Sequence, residues 1–253
     1  MESPITTARA PVRIAGLRPF AVYAVVSVIQ LAGLFAGAAQ LASLTKPLLM
    51  PILLFALIWS TRGRRTSIGL VLNRATRGRR SSIVALAAAG IVFSWIGDVL
   101  LSTPGGLGFL LGLGSFFVAH LAYLVQFLGP LRTRPFRTRR ASSPLSPLGL
   151  LFVPWLVGLL VILGPHLGML FVPVALYGLV LGLAAAAALG TNRLTAAGGV
   201  LFLLSDTVLA LRLFLPGFSL WQADFLIMLL YVLGQGLIVL GAVRAAAGLS
   251  ARQ

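Results

Sequence analysis

Residues 107–129 read LGFLLGLGSFFVAHLAYLVQFLG, a run with no Asp, Glu, Lys or Arg. A helix needs about 20 apolar residues to cross the hydrocarbon core of a bilayer. Backbone polar groups in lipid must be satisfied within the segment, so a run of this length predicts a membrane helix. Working outward, the same reading places spans at 20–42, 46–60, 82–101, 107–129, 148–164, 167–190, 194–215 and 222–243, the second and fifth being short. The runs are too long for the strands of an outer-membrane barrel, and period-two alternation is absent.

Composition agrees. The chain has 253 residues, 59% of them hydrophobic and 9% charged, with a mean hydropathy of +1.03. A soluble domain of this length cannot bury that much apolar surface. There is no cysteine, which excludes a disulfide framework and thiolate chemistry. Residues 1–19 are polar, carry Arg9, Arg13 and Arg18, and show no cleavable signal pattern, so the first span reads as a signal anchor. The expected organisation is a tail over 1–19, one transmembrane domain over 20–243 and a second tail over 244–253.

Charge supplies an independent count. The net charge is +16, from 20 basic and 4 acidic residues. Seven arginines fall in the connection 61–81 (Arg62, Arg64, Arg65, Arg74, Arg77, Arg79, Arg80) and five in 130–147 (Arg132, Arg134, Arg137, Arg139, Arg140). Arg193 lies between spans six and seven, and Arg244 and Arg252 close the chain. The alternate connections 102–106, 164–166 and 216–221 carry no basic residue, and the remaining one carries only Lys46. This alternation is the positive-inside pattern for an all-α, polytopic protein of eight transmembrane helices with both termini in the cytoplasm. The expected location is a bacterial cytoplasmic membrane. The clusters read as short cytoplasmic loops in contact with anionic headgroups, not as a nucleic-acid surface.

An internal similarity adds a symmetry. Residues 88–101, AAGIVFSWIGDVLL, align without a gap on 196–209, AAGGVLFLLSDTVL, at an offset of 108. Ala88, Ala89, Gly90, Val92, Asp98 and Leu101 each meet their own residue type, and the offset carries Tyr123 onto Tyr231. A duplication of four spans would give a parallel 4+4 repeat about an axis along the membrane normal. Small residues alone also generate such matches in an alanine-rich chain.

Four residues are acidic: Glu2, Asp98, Asp206 and Asp224. Glu2 lies in the tail, and Asp224 begins span eight within reach of water. Asp98 and Asp206 sit inside apolar spans, where a carboxylate costs several kcal/mol to insert, roughly 2.5–3.5 on insertion scales. Residues kept at that cost face a cavity or a partner. The repeat would set the two at matching depth before a shared centre. Two carboxyls facing each other favour one protonated and one ionised group, the arrangement acid–base chemistry needs. A structural hydrogen bond between helices is the alternative.

Other polar residues gather around these spans. Lys46, the single lysine, opens span two at its outer end with Pro47, which suits a first helical turn. It reads either as a snorkelling cation or as a partner for an aspartate or a lipid phosphate. His120 and Tyr123 share a face of span four. Tyr231 and Gln235 share a face of span eight, and Tyr177 lies in span six, each tyrosine suiting packing with one hydrogen bond. Ser205 precedes Asp206 without a nucleophile elbow. His166 falls in a loop beside Pro165. Two histidines so placed do not make a metal site. No phosphate-binding loop or dinucleotide fingerprint occurs.

In order along the chain stand Lys46-Pro47, Gly97-Asp98-x-x-Leu101, and Phe109-x-x-Gly112-x-x-x-Phe116-x-x-x-His120-x-x-Tyr123. Then follow Gly198-Gly199-x-x-Phe202-x-x-Ser205-Asp206-x-x-Leu209-Ala210 and Tyr231-x-x-x-Gln235-x-Leu237-Ile238. In this series, over roughly 40–242, the chain resembles the YhhN-like lysoplasmalogenase family of integral membrane proteins. The long arginine-rich loops depart from it. The resemblance implies eight membrane helices and hydrolysis of the vinyl ether bond of a lysoplasmalogen to a fatty aldehyde and a glycerophospho-alcohol. It implies a lysophospholipid substrate, Asp98 and Asp206 as the essential residues, and no metal or organic cofactor. Lys46, His120, Tyr123, Ser205, Tyr231 and Gln235 are the expected supporting residues. A proton-coupled transporter or lipid translocator would also use buried carboxylates, and a non-catalytic scaffold would leave them unexplained.

Overall fold

The computed structural model describes residues 18–62, 74–132 and 147–251, all of it helix, turn or short connection. The helices are α1 (Arg18–Phe35), α2 (Ala39–Arg62), α3 (Arg74–Leu101), α4 (Gly106–Arg132), α5 (Phe152–Leu167), α6 (Phe171–Leu189), α7 (Arg193–Phe214) and α8 (Ala223–Ala251). A single turn, Pro147–Leu150, precedes α5. The N-terminal arginines Arg9 and Arg13 lie outside the described residues, as do Arg64 and Arg65 in the first basic connection and Arg134, Arg137, Arg139 and Arg140 in the second.

Seven stretches of the described residues are long and apolar enough to cross a membrane, one of them the 42-residue Leu148–Leu189. That stretch breaks at Gly168 into α5 and α6, which fold back on each other. Gly182 faces Phe152 and Trp155, Gly178 faces Leu156, and Gly164 faces Phe171.

The surface is inverted relative to a soluble protein. Val28, Leu44, Trp59, Val161 and Met169 are exposed, while Ser94, Ser115, His120, Thr195, Ser205 and Gln235 are buried. Water would penalise both halves of this pattern, and lipid favours it. Trp59 and Trp221, exposed near opposite ends of the bundle, suit the two interfaces. Sequence and packing together are those of a multi-pass membrane protein.

Two boundaries differ from the sequence reading. The first turn lies at 36–38, not 43–45: Gly37 is left-handed at φ 71°, and Ala38 N and Gly37 N donate to Gly33 O and Leu34 O. These two bonds form the glycine C-cap that ends many helices. Lys46 and Pro47 therefore do not open α2 but lie about two turns inside it. The turn expected at 164–166 falls at Gly168–Leu170, so His166 is an exposed residue in the last turn of α5, not a loop residue.

Prolines inside α2 have a structural use. Pro51 has no N–H to give to Pro47 O, its helical partner. The freed carbonyl accepts the indole N–H of Trp95 on α3 at 2.9 Å. That bond ties α2 to α3 beside Lys46. On the other side of α3, Gly90 lets α4 approach, because a Cβ there would stand 2.3 Å from the Tyr123 ring. The core between α2, α3, α4, α6, α7 and α8 carries Met50, Leu53, Ile91, Tyr123, Phe202 and Val239.

Candidate functional site

One end of the bundle holds a cavity of about 430 Å³. It is bounded by the C-terminal ends of α1, α3 and α7 and the N-terminal ends of α2, α4, α6 and α8. Its walls are largely apolar, among them Leu34, Leu101, Phe109, Leu113, Leu213 and Met228. Its polar side chains are Gln30, Ser43, Lys46, Asp98, Ser102, Tyr177, Ser205, Asp206, Asp224 and Tyr231.

Asp98 and Asp206 both line this space. Asp98 is buried; its Oδ2 accepts from Tyr231 Oη at 2.7 Å, and its Oδ1 lies 3.9 Å from Lys46 Nζ. Asp206 is half-buried and accepts a hydrogen bond from the Tyr177 hydroxyl. Each carboxyl thus has one phenol from another helix, and only Asp98 has a cation. A carboxyl that accepts from a phenol keeps its remaining lone pairs for substrate or water.

The helices fix these side chains in place. Ser102 Oγ caps back onto Asp98 O at 2.8 Å, holding the last turn of α3. Ser205 Oγ donates to Ile227 O at 2.9 Å, clamping α7 against α8 beside Asp206. Ser205 reaches the cavity wall with its hydroxyl already engaged. Trp155 Nε1 donates to Thr207 Oγ1 at 3.1 Å, joining α5 to the same turn of α7.

Three expected residues are not on the cavity. Tyr123 Oη donates to Gln235 Oε1 at 2.7 Å, and Gln235 Nε2 donates to Ser94 Oγ at 2.9 Å. This chain crosses α4, α8 and α3 one layer behind the carboxyls. His120 Nδ1 donates to Phe116 O at 2.9 Å, and its ring packs edge-on against Phe202 and Tyr177, centroids 4.5 and 5.6 Å away. His120 therefore backs Tyr177 and does not face the open space. Polar residues at helical spacing share a face, but spacing alone does not say whether that face meets a cavity or another helix.

Sequence reasoning gave Tyr177 only a packing role and passed over Gln30 and Arg212. Gln30 is buried in α1, accepts from the Thr45 hydroxyl and lines the cavity. A lone amide in an apolar helix was its signal. Among the described residues Arg212 is the one arginine at this end of the bundle, and it pairs with Asp224 at the rim. The hydrogen bonds do not follow the 108-residue offset. The image of Tyr231–Asp98 would be Tyr123–Asp206, yet Tyr123 bonds Gln235 and Asp206 bonds Tyr177.

Among the described residues no group of three His, Cys, Asp or Glu side chains is placed to hold a metal. The family model described as the YhhN family matches residues 41–242. No curated protein matches the chain, and no solved structure does.

Proposed function

The chain belongs to the YhhN family, and we propose from that premise that it is a membrane-embedded hydrolase cleaving the vinyl ether bond of lysoplasmalogen or a related ether lysolipid. The observation that carries the reading is the pair of carboxyls, Asp98 and Asp206, each held by a tyrosine on one apolar-walled cavity.

A vinyl ether breaks when its β-carbon is protonated. The resulting oxocarbenium ion takes water at the adjacent carbon, and the hemiacetal collapses to an aldehyde and an alcohol. One carboxyl must donate a proton, and one carboxylate must stabilise the cation or activate water. Lys46 stands beside Asp98 and balances a carboxylate there. We therefore give Asp98 the carboxylate role and Asp206, which has Tyr177 and no cation, the acid role. The apolar walls suit a single acyl chain, and the cavity's volume matches roughly one such chain at native packing density. Lys46 and Gln30 supply polar contacts near the headgroup.

The proposed topology counts α5 and α6 as two crossings. That gives eight spans, both termini in the cytoplasm, and the cavity toward the outer half of a bacterial cytoplasmic membrane. The basic connections at the other end support it by the positive-inside rule. The parallel 4+4 arrangement stays within this proposal, as an equivalence of helix position and not of hydrogen bonds.

The test is mass spectrometry of purified protein incubated with lysoplasmalogen, beside Asp98→Asn and Asp206→Asn. Aldehyde release by the wild type, lost in both folded variants, is expected. Normal turnover in either variant would sink the mechanism, and movement of unaltered lipid across a liposome would indicate a translocator instead.

A further inference from the structure

A second cavity, of about 480 Å³, lies at the opposite end of the bundle. Ile83 lines it and Asp98 lines the first, 15 residues apart on α3, or roughly 22 Å. Its wall comes from the N-terminal part of α3, the C-terminal parts of α4 and α8, and the α6–α7 connection.

Two features of this cavity lack a partner. Gln126 is only 5% exposed, yet its Oε1 has no hydrogen-bond donor among the described residues. A buried acceptor left unpaired costs about 1–3 kcal/mol, so natural structures seldom keep one without a use. Arg193 and Arg244 line the same cavity, and neither has an ion-pair partner among the described residues. Asp98, Asp206 and Asp224 all line the cavity at the far end. Among the described residues the positive charge here has no acidic neighbour to balance it. Arg193 also begins α7, whose N-terminal dipole adds to the attraction for an anion. Asn192 occupies the next two amides, Leu194 N and Thr195 N, so the arginines and not the helix end carry the recognition.

We propose that this cavity binds a glycerophosphate group, its phosphate between Arg193 and Arg244 and a glycerol hydroxyl donating to Gln126 Oε1. Arginine suits a phosphate because its planar fork meets two oxygens at once. Gln126 Oε1 requires a donor, which the phosphodiester of a lipid headgroup does not itself supply. A hydroxyl fits better than an ammonium, because a third cation beside two unpaired arginines would be repelled. The group has two sources of the same chemistry: the headgroup of an anionic glycerolipid in the adjoining leaflet, or a soluble glycerol phosphate.

The experiment uses the full chain in nanodiscs of phosphatidylcholine doped with phosphatidylglycerol or with phosphatidylmethanol, which has the same charge and no hydroxyl. Native mass spectrometry counts retained lipid, and soluble glycerol 3-phosphate is added as competitor. Wild type should retain phosphatidylglycerol over phosphatidylmethanol. Arg193→Gln with Arg244→Gln should weaken retention of both anionic lipids by roughly tenfold. Gln126→Leu should keep charge-dependent retention but lose the preference for the hydroxyl-bearing lipid. Because Gln126→Leu removes an unpaired buried acceptor, it should fold at least as well as wild type. Displacement by glycerol 3-phosphate at the same arginines would identify the soluble source, and retention despite it the lipid. Equal retention of the two anionic lipids by wild type, or retention unchanged in the arginine variant, would overturn the site.

Discussion

Tyr231 Oη donates to Asp98 Oδ2 at 2.7 Å, joining α8 to α3 across 133 positions of sequence on the wall of the cavity. Tyr177 makes the matching contact to Asp206 from α6. A hydrogen bond to a charged group contributes about 1.5–3 kcal/mol. Tyr231→Phe should therefore lower kcat/KM for lysoplasmalogen by roughly tenfold to a hundredfold. If Asp98 is the carboxylate and Asp206 the acid, Tyr177→Phe should do less harm, since a phenol holding a neutral carboxyl contributes about 0.5–1.5 kcal/mol. Steady-state aldehyde release by the two variants compares them directly. A larger loss in Tyr177→Phe would reverse the assigned roles.

Lys46 Nζ lies 3.9 Å from Asp98 Oδ1, too long for a tight hydrogen bond but close enough for charge to matter. Lys46→Met should leave a carboxylate facing an apolar cavity without its cation, and turnover should fall at least tenfold. Lys46→Arg keeps the charge and should recover part of the loss. If methionine and arginine at 46 behave alike, the residue acts through shape and not through charge.

Gly90 and Gly114 make a matched pair of substitutions. A Cβ on Gly90 meets the Tyr123 ring at 2.3 Å, while a Cβ on Gly114 meets nothing within 4 Å. Gly90→Ala should destabilise by about 1–3 kcal/mol through overpacking. Gly114→Ala should be neutral or stabilising by up to about 1 kcal/mol, since alanine is the better helix former. Thermal unfolding in detergent should separate the two, and an unchanged Tm for Gly90→Ala would mean that α3 and α4 part more easily than their packing implies.

Much of this was legible in the sequence, and the limits have physical reasons. The uncharged runs such as 107–129 fix helices because lipid offers the backbone no other partner. Asp98 and Asp206 stood out because a carboxyl in an apolar span is costly, and the two do line one cavity. The turn at Gly37 was not legible, since a glycine that caps a helix looks the same as one that lets helices pack. That error carried Lys46 to the helix start, when it lies two turns inside α2. His120, Tyr123 and Gln235 were read as site residues because polar groups within lipid signal either function or a satisfied network. Only their partners, Phe116, Gln235 and Ser94, distinguish the second case.

The bond from Trp95 Nε1 to Pro47 O, at 2.9 Å, exists because Pro51 cannot donate to that carbonyl. Trp95→Phe removes the donor and leaves Pro47 O unpaired at the lipid-facing surface, which should cost about 1–3 kcal/mol. Pro51→Ala supplies the missing helical N–H, so in that background Pro47 O has a partner whether or not Trp95 is present. The two substitutions should therefore couple: the cost of Trp95→Phe should shrink by about 1 kcal/mol or more once residue 51 is alanine. Thermal or denaturant unfolding of the wild type, both single variants and the double variant measures that term. The same cycle read in aldehyde release would show whether the α2–α3 tie positions Lys46, because Trp95→Phe breaks the tie while leaving Lys46 and Asp98 intact. Additive effects on stability would mean that water, and not Trp95, satisfies the carbonyl.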